Sequence, residues 1–159
     1  MLQIATMIVL LKADTESVMS EKKESLGGCL CGETRYKVVA PLRPVVACHC
    51  RQCQRSSGFH VAATSAPKHA FNLVKEQHLK WYTSSVTAKR GFCGQCGSNL
   101  FWQQKGSDDM VIFAGTLDQP TGLKMVEHIF VEDKGDYYSL NDELPKRQGF
   151  EESICFHTQ

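Results

Sequence analysis

Two short stretches decide how this chain is read: Gly28-Cys29-Leu30-Cys31-Gly32 near the start, and Arg90-Gly91-Phe92-Cys93-Gly94-Gln95-Cys96-Gly97 some sixty residues later. Between them lies a third, Ala47-Cys48-His49-Cys50-Arg51-Gln52-Cys53-Gln54. These three clusters hold seven of the eight cysteines, at the spacing of metal ligands and not of scattered core thiols. A structural zinc takes four tetrahedral ligands, commonly thiolates, whereas a catalytic zinc keeps three protein ligands and an open position. Seven sulfurs divide naturally into four and three.

Residues two apart on a strand point the same way, so Cys29 and Cys31 are expected to grip one ion with Leu30 turned away. Cys93-Gly-Gln-Cys96-Gly97 has the form of a zinc knuckle, a tight turn in which glycines admit the backbone angles and bring amide N–H groups to the sulfurs. These pairs make a closed four-cysteine site. Cys48, Cys50 and Cys53 supply three ligands from one segment and leave a position open. A structural site completed by a distant residue such as His60 is the alternative for this cluster, and an iron–sulfur centre would also use cysteines. Cys93-Gly-Gln-Cys96 does not read as a redox motif, because no helix in a βαβ setting follows it.

The totals fit one ordinary domain: 159 residues, 42% hydrophobic and 22% charged. Eighteen Lys and Arg against 17 Asp and Glu give a formal charge of +1, which supplies no field for nucleic acid or anionic lipid. Clustered cysteines favour metal ligation in a reducing compartment, hence the cytoplasm over export. The opening MLQIATMIVLL lacks a basic start and is too short to span a bilayer. Met19 opens the polar string that leads to the first cysteines, so residues 1–25 read as a dispensable extension, 26–147 as the domain and 148–159 as a tail.

Thr34 to Ala40 alternates as a half-buried strand with Tyr36 and Val38 on one face, ended by Pro41 and Pro44. Arg51 to Ser57 reads as a short helix stopped by Gly58, with Arg51 and Arg55 on one side. Further strands are expected at Phe71 (FNLVK), Leu79 (LKWYT), Ala88 (AKRGF), Asn99 (NLFWQ), Met110 (MVIFA) and His128 (HIFV). No interval carries a long helical pattern, so the fold class is mainly β and largely antiparallel. Joining the first cysteines to the knuckle closes a long loop, so zinc is expected to be part of the fold.

With these residues placed, the chain resembles the glutathione-dependent formaldehyde-activating enzyme family, whose domain is shared with centromere protein V. The resemblance runs from Leu26 to about Arg147 and is carried by GGCLCGETRY, ACHCRQCQRSSG, RGFCGQCGSNLFW, AGTLDQP and HIFVEDKGDYYSLNDELP. It implies an Mss4-like fold of several small antiparallel sheets stapled by two zinc ions. The implied structural ligands are Cys29, Cys31, Cys93 and Cys96, and the implied catalytic ligands are Cys48, Cys50 and Cys53. It further implies a carbon–sulfur lyase acting on glutathione and formaldehyde to give S-(hydroxymethyl)glutathione. Many relatives carry Trp where this chain has Tyr137 or Tyr138, a difference of packing or pocket wall.

Three thiolates leave a zinc centre with about one net negative charge, which weakens it as a Lewis acid and favours a role as thiol anchor. Binding a further thiolate calls for nearby cations, and Arg51, Arg55 and Arg90 stand beside the clusters as candidates for that role or for the carboxylates of glutathione. From a different class, a zinc-stabilised binding or scaffold module without turnover accounts for the same cysteines. His49 reads as a strand residue turned from the metal, and Cys155, His69, His78 and His157 as bystanders. Asp118 reads as a turn former, and Trp81, Phe101 and Trp102 as β core.

Overall fold

The computed structural model describes residues 24–149. The proposed extension before residue 24, Met19, Cys155 and His157 lie outside the described residues. Ten strands and one α-helix make two sheets, one of three strands and one of seven. The small sheet is β1 (Glu24–Gly28), β2 (Arg35–Val39) and β5 (Phe71–Lys75), in the order β1-β2-β5. β1 therefore begins two residues ahead of the boundary expected at residue 26.

The large sheet has the order β10-β3-β4-β9-β8-β7-β6. Its strands are β3 (Val45–Cys48), β4 (Val61–Pro67), β6 (Leu79–Ser85), β7 (Ala88–Cys93), β8 (Asn99–Gln104), β9 (Asp109–Phe113) and β10 (Met125–Ile129). All pairs are antiparallel except β3 with β10, which run parallel because the chain reaches that edge through a long return from β9.

Alternation explains the placement of the strands it predicts. Tyr36 and Val38 share the inner face of β2 at 1% and 0% exposure, and meet Phe101 and Ile112 of the large sheet in one apolar core. The Tyr36 ring stands edge-on to Phe101 at 5.1 Å, and its hydroxyl lies 2.7 Å from Thr116 Oγ1, so the one polar atom of this buried side chain is satisfied. Gly27 is required beside it: a Cβ there would fall 2.3 Å from the Tyr36 ring.

The segment expected as HIFV from His128 is displaced. β10 ends at Ile129 because Phe130 takes φ 57, a left-handed conformation that terminates pairing and starts a 3-10 turn at Val131. From there the chain passes back along β10, where His128 bridges Lys146 and the backbone N–H of Arg147 donates to the His128 carbonyl at 2.8 Å. Among the described residues no helix is long and apolar enough to cross a membrane.

Candidate functional site

Cys29 and Cys31 do not lie on a strand. β1 ends at Gly28, and Cys29 opens a turn in which its carbonyl accepts from Gly32 N–H at 3.1 Å, with Gly32 at φ 77. The turn serves the sulfurs better than a strand would, because it curls the backbone around them: Thr34 N–H points at Cys29 Sγ at 3.2 Å. Opposite, Cys93 closes β7 and the Gly94-Gln95 turn returns through a Gly97 N–H bond to the Cys93 carbonyl at 2.8 Å. Ser98 ties the two halves together, its hydroxyl accepting from Leu30 N–H at 3.1 Å and lying 3.2 Å from Cys96 Sγ.

The four sulfurs lie within 4.8 Å of one another. Cys29 and Cys31 Sγ are 3.5 Å apart, and Cys31 and Cys93 Sγ are 3.7 Å apart. A tetrahedral ion with metal–sulfur bonds of about 2.3 Å requires sulfur edges of about 3.8 Å, so these four fit a zinc-sized ion. The Cys96 thiol is lowered to about 5 by its bond to Ser98 and by backbone N–H groups, which suits a thiolate ligand.

The second group is Cys48, Cys50 and Cys53, also within 4.8 Å of one another, and no histidine of the described residues joins it. His60, the residue weighed as a completing ligand, is outside the group, with its Nδ1 buried and unbonded. Cys48 is the last residue of β3, and Cys50 is the extended residue before α1 (Arg51–Ser57), which Gly58 ends at φ 79. Cys53 lies one turn inside that helix and is buried. Contact between the three sulfurs lowers Cys50 to about 2 and raises Cys48, the physical sign that three thiols this close share a charge.

This group opens on a cavity of about 380 Å³ on the face of the large sheet opposite the Tyr36 core. Val61, Phe113 and Trp102 pack against the cysteines. Trp102, expected in the core, is instead cavity wall, because Phe101 takes the core face and its neighbour must take the other. Arg90 is 4% exposed and lines the same cavity. Its guanidinium donates to Gln52 Oε1 at 2.8 Å and approaches Cys53 Sγ at 3.8 Å, and its Nε is buried and unbonded. Arg51 and Arg55 are exposed on the outer side of α1, Arg51 donating to Gln54 Oε1 at 2.9 Å, and neither lines the cavity.

Behind the open group runs a chain of polar side chains that the sequence motifs do not reveal. His49, fully buried between two of the cysteines, bonds through Nδ1 to the Tyr138 hydroxyl and through Nε2 to His128 Nδ1 at 2.8 Å, and His128 Nε2 meets Asp142 Oδ2 at 2.9 Å. Asp142, His128, His49 and Tyr138 thus form one continuous row of hydrogen bonds, and every ring nitrogen of the two imidazoles has a partner. Burial, with His60, His128 and Lys134 nearby, lowers His49 to about 4 and keeps it neutral. Gln54 donates to the His49 and Asp133 carbonyls, fixing α1 to the same frame.

Asp118 is no part of this site: it is half exposed and bonds Arg35 through both carboxylate oxygens. Of the histidines expected at the surface, His69 is exposed, and His78 is partly exposed, 3.9 Å from Glu33.

A two-sheet β fold carrying a four-sulfur group and a three-sulfur group, the second facing a cavity, defines a class of protein whose clustered cysteines could hold metal ions. The model of the family "Glutathione-dependent formaldehyde-activating enzyme" matches residues 24–133, and the chain belongs to that family. It is 28% identical over 118 residues to a Schizosaccharomyces pombe protein named "Uncharacterized lyase", covering 72% of this chain and 83% of that one. It is also 28% identical over 125 residues to a Halomonas elongata protein named "Putative glutathione-dependent formaldehyde-activating enzyme", covering 72% and 79%. A crystal structure of a Rhodobacter sphaeroides protein matches with a TM-score of 0.52 at 22% identity, over 64% of this chain and 99% of that one, a likeness of fold.

Proposed function

We propose that the protein is a zinc-dependent carbon–sulfur enzyme of the cytoplasm that joins glutathione, or a related thiol, to formaldehyde or another small aldehyde. The observation that carries this reading is the inequality of the two sulfur groups: one has four ligands, while Cys48, Cys50 and Cys53 supply three and face a cavity large enough for a small thiol. In this reading Cys29, Cys31, Cys93 and Cys96 hold a structural zinc, and the three-cysteine group holds the second. Zinc bound there would supply a coordination position for the thiol sulfur and lower its pKa.

The residues of the chain do the rest. Arg90, with its guanidinium beside Cys53 and an unused N–H, offsets the negative charge of a fourth sulfur on the group. Val61, Phe113 and Trp102 keep the group's surroundings apolar, which strengthens that attraction and limits water. In the reaction the thiolate sulfur forms a bond to the aldehyde carbon, the carbonyl π pair moves to oxygen, and that oxygen takes the proton the thiol gave up. Arg51 and Arg55 are candidates for a glutathione carboxylate from outside the cavity. Unchanged glutathione affinity in the alanine variants of Arg51, Arg55 and Arg90 would remove all three from binding.

The test is the exchange rate among glutathione, formaldehyde and S-(hydroxymethyl)glutathione by NMR, with zinc-loaded protein beside Cys53→Ser and a no-protein control. Acceleration that disappears in Cys53→Ser supports the enzyme and its site. No acceleration by protein carrying two zinc ions points to another thiol or to a binding module.

A further inference from the structure

The three-sulfur group faces an apolar wall that is larger than the sulfurs need. Strand register sets this wall out in rows on one face of the large sheet. Ile129, Cys48 and Val61 share the first row, Ala63 and Phe113 the second, and Val111 and Trp102 the third. Successive rows are two residues apart, about 7 Å, so the wall runs about 13 Å along β4. Val61, Ala63, Val111, Phe113 and Ile129 carry no polar side-chain atom, and Trp102 has only its indole N–H. Ser65 ends the third row with its hydroxyl already bonded by Arg43, and Gln104, Ser107 and Asp109 stand beyond. β4, β9 and β8 are interior strands whose backbone groups pair in the ladders.

Two reactants meet at the sulfur group in the reading above, and the wall suits them unequally. Glutathione is a charged peptide, and each of its amides laid on this wall would leave water without gaining a partner, a loss of about tenfold in affinity. Formaldehyde has no substituent and would cover none of the wall. An aldehyde with an apolar substituent covers it from the carbonyl carbon outward and has no further polar group to desolvate. Each methylene so buried strengthens binding by about threefold to fourfold. The cavity of about 380 Å³ is continuous with the sulfur group, so one molecule can occupy both.

We propose that the cavity selects an aldehyde with an apolar side chain of about four to eight carbons, its carbonyl at Cys48, Cys50 and Cys53 and its chain against Val61, Ala63, Val111 and Trp102. This rests on the thiol–aldehyde reading above and names the aldehyde's class. An extended chain of eight carbons spans roughly 10 Å by standard bond lengths, within the 13 Å or so of the wall. The arrangement leaves the peptide of the thiol outside the wall, toward Arg51 and Arg55 on the outer side of α1.

The test has two arms, both on zinc-loaded protein. Straight-chain primary amides, which carry the carbonyl but do not react with thiols, are titrated by NMR from acetamide to hexanamide. Affinity should rise about threefold per added methylene. Ala63→Leu fills the second row and should weaken hexanamide by about tenfold. Val111→Thr, of nearly the same shape, sets a hydroxyl in the third row and should weaken it by about fivefold, and it decides the matter alone if Ala63→Leu fails to fold. In the second arm the glutathione exchange is followed with hexanal beside formaldehyde, and acceleration over the no-protein rate should be at least about tenfold greater for hexanal. A flat amide series, variants that match wild type, or greater acceleration for formaldehyde overturns the apolar subsite and leaves the thiol–aldehyde reading intact. Protein carrying two zinc ions that accelerates neither aldehyde overturns both.

Discussion

The two sulfur groups are built from opposite kinds of local structure. The four-sulfur group joins a turn after β1 to a turn after β7, so its ligands arrive from chain segments 62 residues apart. The three-sulfur group comes from six consecutive residues, a strand end and a helix start, and its own segment holds it together. An ion in the first closes a long loop and offsets the entropy of ordering it; an ion in the second closes almost none. One site is expected to hold the fold and the other to be free for chemistry.

Breaking one sulfur on each side tests this most sharply. Cys96→Ser should unfold the chain, since structural zinc contributes on the order of 10 kcal/mol, comparable with the whole stability of a domain. Cys53→Ser should melt cooperatively, within about 2 kcal/mol of wild type, while losing one zinc. Circular dichroism melts with metal analysis read both, and equal losses in the two variants would erase the distinction.

Smaller perturbations can be aimed at one group's support. Gly27→Ala puts a methyl 2.3 Å from the Tyr36 ring and 2.6 Å from the Thr116 carbonyl, next to the four-sulfur turn. With a backbone oxygen in the way, relief requires moving β1, and a loss of about 3 kcal/mol in denaturant unfolding is expected. His128→Ala cuts the chain from Asp142 to His49 and leaves the buried His49 Nε2 without its hydrogen-bond partner, at a cost of about 2 kcal/mol. It should lower zinc retention at Cys48, Cys50 and Cys53 against a chelator while the four-sulfur group keeps its ion.

The same contrast explains what could be read from the sequence. Alternation located β2, short apolar and aromatic runs between turn-forming breaks located β5, β6, β7, β8 and β9, and the Gly58 stop located α1. β3 and β4 escaped because they are buried on both faces: Val45-Val46-Ala47 does not alternate, and Val61-Ala-Ala-Thr-Ser-Ala-Pro67 reads as small loop residues. The strand expected at Cys29 and Cys31 lies instead at Glu24–Gly28, where Gly27 admits the Tyr36 ring. Cysteine spacing announced both sulfur groups, yet His128 reaches the open site only through the pairing of β10 with β3, and Tyr138 and Asp142 through the irregular segment that follows. No spacing rule reports such residues.

The smallest effect concerns the ion pair that ties β2 to the segment after β9. Arg35 and Asp118 bond bidentately but are 34% and 47% exposed, so solvent and salt screen them. Arg35→Ala should cost less than about 1 kcal/mol and leave both zinc ions in place. The Asp118 carboxyl is held below its ordinary value by the Arg35 guanidinium, so the folded chain binds its proton less readily than the unfolded chain does. Its contribution is therefore present above pH 4 or so and is lost as the pH falls through the lowered folded value. Asp118→Asn should remove that slope, read as the difference in unfolding free energy between pH 5 and pH 3 at low salt. If the slope persists, the acid sensitivity belongs to other groups, such as Asp142, whose carboxyl His128 also holds down, and the pair near the four-sulfur turn adds nothing to it.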